Sequence, residues 1–238
     1  MDKAAVRLFS HSFWLGMYDP DVEYRSWGPS YVDTPEHREM ALEAARKSIV
    51  LLKNDRNVLP FKGKTLAVIG PHANSTLDLL SNYHGDNTLV DSHSPLLALQ
   101  KRVTVAYAPG LPSLTSTDTS GFAHATDAAK QSDAAVVFVG INQDQESEGR
   151  DRTVLTLPGA QEQLVQAVLT ANPNTILVLI NGGPIAIDQL KGAVPAIVEA
   201  WYPGQLGGDA VADVLLGTVS PAGMGRPWCE GKSKREKK

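Results

Sequence analysis

The spacing of apolar positions changes once along the chain, near residue 64. Before it, Ala41, Ala45, Ile49 and Leu52 fall on one helical stripe within "HREMALEAARKSIVLLKN". Thr34-Pro35-Glu36 supplies a helix start: a capping hydroxyl, proline at the first helical position, then an acid near the positive helix end. The pattern therefore predicts a helix from 35 through Asn54. After residue 64, unbroken apolar runs alternate with helical segments. The runs are 65–70, 103–108, 134–140, 175–181 and 196–201, and the helices 94–101, 122–131, 158–171, 184–190 and 205–217. Runs rich in Val, Ile and Leu without a polar face imply strands buried on both sides. The expected fold class is α/β: a mostly parallel sheet of five to six strands with helices on both faces.

The ends read differently. Residues 1–19 predict a short amphipathic helix. Residues 20–34 hold two prolines, a glycine and three aromatics and read as an extended linker. The tail 222–238 is highly charged and reads as disordered. Composition adds exclusions more than assignments. Apolar residues make up 42% of the 238, enough for a substantial core, and the formal net charge of −4 gives no reason to expect nucleic acid or an anionic membrane. No run of eighteen apolar residues exists to cross a bilayer. The N-terminus lacks the apolar core of a signal peptide. One cysteine permits no internal disulfide, the six histidines show no metal-ligand spacing, and no cofactor is implied.

Candidate chemistry collects where strands of an open α/β sheet end, because ligands bind beyond their carboxyl ends. Four runs end in distinctive sequence there: Gly70-Pro71-His72-Ala73-Asn74, "VGINQDQESEGRDR", Asn181-Gly182-Gly183-Pro184 and Trp201-Tyr202-Pro203-Gly204. The second places six charges in nine positions, Asp144 to Arg152, in a chain that is 20% charged. A pair of carboxylates such as Glu146 and Glu148 suits glycoside hydrolysis, which needs an acid and a nucleophile or base on either side of the bond. The plainer reading is a solvated acidic loop paired with its own arginines, and the catalytic one needs a further carboxylate from elsewhere. Asn181-Gly182-Gly183-Pro184 is most simply a tight turn that lets the next helix come close. His72 and His84 read as loop hydrogen-bonders rather than metal ligands. The loop after 65–70 lacks the glycine spacing of a nucleotide site.

Taken together, "EHREMALEAARKSIVLLKNDRNVLPF", "LAVIGPHANSTLDLLSNYHG", "VGINQDQESEGRDR", "LPGAQEQLVQAV", "LVLINGGPIAID" and "AIVEAWYPGQLGGDAVADVLLG" resemble glycoside hydrolase family 3, especially its β-xylosidase/β-glucosidase-like members. The resemblance covers about residues 5–221. It implies that 35–221 is the family's C-terminal α/β sandwich, 1–19 the end of a (β/α)8 barrel and 20–34 the connection between them. It implies a retaining β-glycosidase acting exo-wise on β-linked oligosaccharides or glycosides. In such an enzyme an Asp nucleophile comes from the barrel and an acid/base from the sandwich. The family pattern puts the acid/base on Glu146, with Glu148 as the alternative or supporting carboxylate, and Asp151 and Arg152 as its closing, substrate-binding pair. Family members are often secreted. Asn142 stands where the pattern has Asp. The nucleophile segment is not in these 238 residues, so the chain is expected to be a fragment, inactive alone and needing the barrel as its partner. A carbohydrate- or partner-binding module derived from such an enzyme stays open as the second reading.

Overall fold

Ala134–Gly140 consists of seven consecutive buried residues and forms β4, a central strand of the sheet. In the computed structural model, which describes residues 1–85 and 93–223, five strands surround it: β1 (Val50–Asn54), β2 (Thr65–Ile69), β3 (Thr104–Ala108), β5 (Thr175–Ile180) and β6 (Ala196–Glu199). Their order is β1-β6-β5-β4-β2-β3. All neighbours are parallel except β1, which runs antiparallel to β6 at the edge. The α/β class and the mostly parallel, six-stranded sheet are those the apolar pattern predicts.

Among the described residues seven α-helices accompany the strands: α1 (Asp2–Trp14), α2 (Pro35–Ser48), α3 (Pro95–Gln100), α4 (Phe122–Lys130), α5 (Gln161–Ala171), α6 (Asp188–Lys191) and α7 (Gly207–Leu216). Alternate strand residues feed two cores. Val68, Val136, Phe138, Val178 and Val198 pack with residues of α2, α3 and α7 on one face. Ile69, Val137, Val139, Leu177 and Ile197 pack with residues of α4, α5 and α6 on the other. Two-sided burial is why these strands show no polar alternation. Starts follow local chemistry: the Thr34 hydroxyl accepts from the His37 amide at 3.3 Å, and Ser94 Oγ from the Leu97 amide at 3.2 Å.

The expected helix to Asn54 is corrected. It stops at Ser48, and Val50–Asn54 becomes the edge strand β1. Val50 and Leu51 gain a ladder with Glu199 and Val198, and that pairing outweighs the weak helical stripe. Asp213 of α7, almost fully buried, is held by Arg46 of α2 and Arg102 after α3, and ties three helices on one face.

The chain divides into two compact units, Met1–Met40 and the remainder from Ala41. In the first, α1 buries none of its residues, and Phe13 and Trp14 are 62% and 80% exposed. Among the described residues, no helix is long and apolar enough to cross a membrane. Most of the predicted tail, 224–238, lies outside the described residues.

Candidate active site

Parallel strands bring their carboxyl ends to one edge, so the four segments singled out in the sequence follow β2, β4, β5 and β6 on the same side of the sheet. The helix after β2 covers one face and the helix after β4 the other. The loops leaving β2 and β4 therefore diverge and open a crevice, the usual ligand position in such sheets. The charged loop, 141–160, begins there.

Its base is clamped from behind. The buried side chain of Gln161, at the start of α5, accepts from the Gly140 amide (2.8 Å) and donates to the Gly140 and Leu114 carbonyls (2.9 and 2.8 Å). Its front is tied to the loop after β2. Asn142 Nδ2 donates to Asp78 (2.8 Å), Gln143 Nε2 to the carbonyls of Leu80 and Ser81, and the Glu148 amide to Asn82 Oδ1 (2.7 Å). Burial works to raise the Asp78 carboxyl; the contacts of His72, Asn142 and Ser75 outweigh it and hold the group below its ordinary value. His72 is not the loop hydrogen-bonder expected of it. It is fully buried, and Nδ1 lies 3.3 Å from Asp78 at ion-pairing distance, but among the described residues neither ring nitrogen is in hydrogen-bond geometry with a partner.

The two glutamates have opposite surroundings. Glu146 turns inward and is 16% exposed. Its Oε1 accepts from the Gly182 amide (2.6 Å) and the Tyr202 hydroxyl (2.8 Å), the Gly183 amide lies 3.1 Å from both oxygens, and Arg152 Nε approaches Oε2 at 3.4 Å. Burial, then the adjoining Glu146 carboxylate, pushes the Tyr202 phenol up, so it remains a donor. The paired glycines exist for this contact. A Cβ on Gly182 would lie 2.9 Å from Glu146 Oε1, and one on Gly183 2.8 Å from Oε2 and 2.6 Å from Arg152 Nη2. Asn181-Gly182-Gly183-Pro184 is thus a carboxylate cradle as well as a turn.

Glu148 is exposed, and among the described residues its carboxylate has no hydrogen-bond or ion-pair partner. It sits in a tight turn closed by the Arg150 amide donating to the Ser147 carbonyl (2.9 Å). Gly149 follows at φ +76°, a conformation that glycine supplies at the third position of such turns. Asp151 is exposed. Arg152 is folded back: it is 12% exposed, and Nη2 donates to the Pro184 carbonyl at 2.9 Å. The structure therefore brings Glu146 and Arg152 together, and leaves Glu148 and Asp151 facing solvent.

Sequence reasoning passed over Asn181, Tyr202, Gln161 and Glu199 as individual residues. Glu199 closes β6, is 7% exposed, and accepts from the Trp201 amide (3.1 Å) and Asn181 Nδ2 (3.4 Å). Burial raises its pKa to about 7, with the Glu146 charge adding to the rise. Its signal was present: an acid inside the apolar run "AIVEAW". Among the described residues, no group of three or more His, Cys, Asp or Glu could hold a metal ion.

A two-faced α/β domain carrying a lashed, carboxylate-bearing loop at its carboxyl edge is the class of molecule these features define. The model of the glycosyl hydrolase family 3 C-terminal domain matches residues 49–224, and the chain belongs to that family. A β-xylosidase of Formosa agariphila is 40% identical over 237 residues, covering 94% of this chain and 32% of the relative. A solved family 3 exo-β-xylosidase, XlnD, bound to a xylobiose aziridine activity-based probe, superposes with a TM-score of 0.83 at 39% identity, covering 92% of this chain and 29% of that one. A β-glucosidase of Bifidobacterium adolescentis gives 0.72 at 37% identity, covering 82% and 29%. The chain thus spans about a third of the length of these relatives.

Proposed function

We propose that this domain supplies the general acid/base of a retaining β-glycosidase acting on β-linked xylosyl or glucosyl substrates. The carboxyl that meets the glycosidic oxygen is then Glu148. The family pattern favours Glu146; the observation that favours Glu148 is the contrast between the two. Both oxygens of Glu146 are already occupied by donors, which leaves it poorly placed to hand a proton to a leaving group. Glu148 is exposed and its carboxylate has no partner among the described residues, in a turn whose base Glu146 anchors. In the proposed cycle Glu148 protonates the departing oxygen while a carboxylate nucleophile from another part of the enzyme attacks the anomeric carbon. It then takes a proton from the water that releases the sugar. The xylosidase relatives support the sugar class, with the β-glucosidase neighbour as the alternative. Asp151 is left in the role the family pattern gives it, at the substrate side. Arg152 acts from behind, on Glu146.

The test exchanges residues 20–221 for the matching segment of a full-length family 3 xylosidase and follows hydrolysis of aryl β-xylosides. Glu148→Ala is expected to slow poor leaving groups far more than activated ones, because a good leaving group departs without protonation. A loss on poor leaving groups within about 10²- to 10⁴-fold is expected. Azide, which needs no base, should restore part of the turnover on the activated substrate. Glu146→Ala should lower all substrates alike, without azide rescue. The reverse pattern would return the acid to Glu146.

A further inference from the structure

Beneath the cradle lies a second buried carboxyl that touches neither glutamate of the charged loop directly. Glu199 Oε1 accepts from the Trp201 amide, and Trp201 is a non-glycine residue held at φ +59°. L residues avoid that region, and it persists only where surrounding contacts fix it. Glu199 Oε2 accepts from Asn181 Nδ2, which also donates to the Gly183 carbonyl at 3.0 Å. One carboxyl thus holds both arms of the cradle: the β5 arm, whose Gly182 and Gly183 amides grip Glu146, and the β6 arm, whose Tyr202 hydroxyl does the same.

We infer that Glu199 is a positioning residue: through the Asn181 amide and the Trp201 peptide it sets the cradle, and its ionisation switches the cradle between a closed and a loosened form. An ionised Glu199 matches the observed donors. A neutral one converts an acceptor into a donor, and buried Asn181 Oδ1 has no hydrogen-bond partner among the described residues. Meeting it requires the Asn181 amide to turn over. That turns its oxygen towards the Gly183 carbonyl, and the two acceptors repel, displacing the Gly183 peptide.

The surroundings of Glu199 put this within reach of ordinary pH. Its partners across the sheet are Val50 of β1 and Leu179 of β5, neither charged. The charge it feels is Glu146, from the loop after β4, with Arg152 ion-paired to that carboxylate and the Tyr202 phenol between the β6 arm and Glu146. Burial is the dominant influence and favours the neutral form, which places the switch near pH 7.

The inference rests on the charged loop being the carrier of the acid, but its test reads no turnover, so the two can fail separately. The full chain, labelled with ¹⁵N and with ¹³C at the glutamate carboxyls, is titrated by NMR. The Gly182 and Gly183 amides are expected to shift with one midpoint near neutrality, matching that of the Glu199 carboxyl. In Glu199→Gln those amides should stay at their low-pH positions throughout. At pH 8 they should exchange with solvent about tenfold faster than in the parent, the equivalent of one lost hydrogen bond. Glycine amides that ignore the Glu199 titration overturn the proposal, as does a neutral-range titration that survives Glu199→Gln. If that variant does not fold, the titration of the unaltered chain decides alone.

Discussion

Asn142 shows how much one atom decides in this site. Its amide nitrogen donates to Asp78, and its amide oxygen accepts from the Asp144 amide at 2.9 Å. Only an amide does both. Asn142→Asp keeps the acceptor and sets a second carboxyl at hydrogen-bond distance from Asp78. It should destabilise the chain by about 1–3 kcal/mol at pH 8, where both groups are charged, and by less at pH 5, where one proton can be shared. Urea unfolding at the two pH values measures the difference. Glu199 predicts the opposite slope from a carboxyl held ionised by an ion pair. Its folded pKa, about 7, lies above its usual 4.5, so the folded chain holds a proton that the unfolded chain has released. Its contribution is fully present below about pH 4.5 and is lost as the pH rises to about 7, a change on the order of 3 kcal/mol. Glu199→Gln should remove that component of the pH dependence of unfolding. The sequence made the loop's carboxylates visible but not their orientation, because an i, i+2 pair gives no sign of which member meets a cradle built 36 residues away.

At the level of elements, the strands were legible because a sheet covered on both faces writes itself as unbroken Val, Ile and Leu runs. β1 was not, since Val50–Asn54 is a short edge strand that continues a helical stripe, and its identity depends on β6, almost 150 residues later. The start of α5 was placed at 158 rather than Gln161, and that residue matters more than the shift suggests. Gln161 satisfies the backbone N–H and C=O of Gly140 and the Leu114 carbonyl inside the core. Gln161→Ala leaves three buried groups without partners. A loss of about 3 kcal/mol is expected, with water able to recover some of it. Hydrogen exchange should quicken first at Gly140 and Ile141, before the central residues of β4. Uniform quickening across the sheet would place the effect in general packing instead.

For the whole molecule, the two compact units differ in how much they bury. From Ala41 on, strands and helices share two continuous cores. Within Met1–Met40 the chain folds as α1 and short turns, yet Phe9, Phe13, Trp14, Tyr18, Trp27 and Tyr31 remain about half exposed or more. In the sequence the contrast is one of scattered aromatics among prolines before residue 35 and periodic apolar runs after it. The pattern puts the expected boundary at residue 35, whereas the compact units divide at Met40/Ala41, inside α2. Segments with so little buried surface open locally at small cost, whereas core strands open only with global unfolding. Limited proteolysis of the full chain should therefore cut first within residues 1–33, well before any cut between 65 and 217. A chain starting at residue 34 should keep a cooperative thermal transition, because residues 1–33 contribute none of the buried residues of either core. Loss of that transition, or protection of residues 1–33 in a verified monomer, would show that the aromatic segment is part of the folding unit after all.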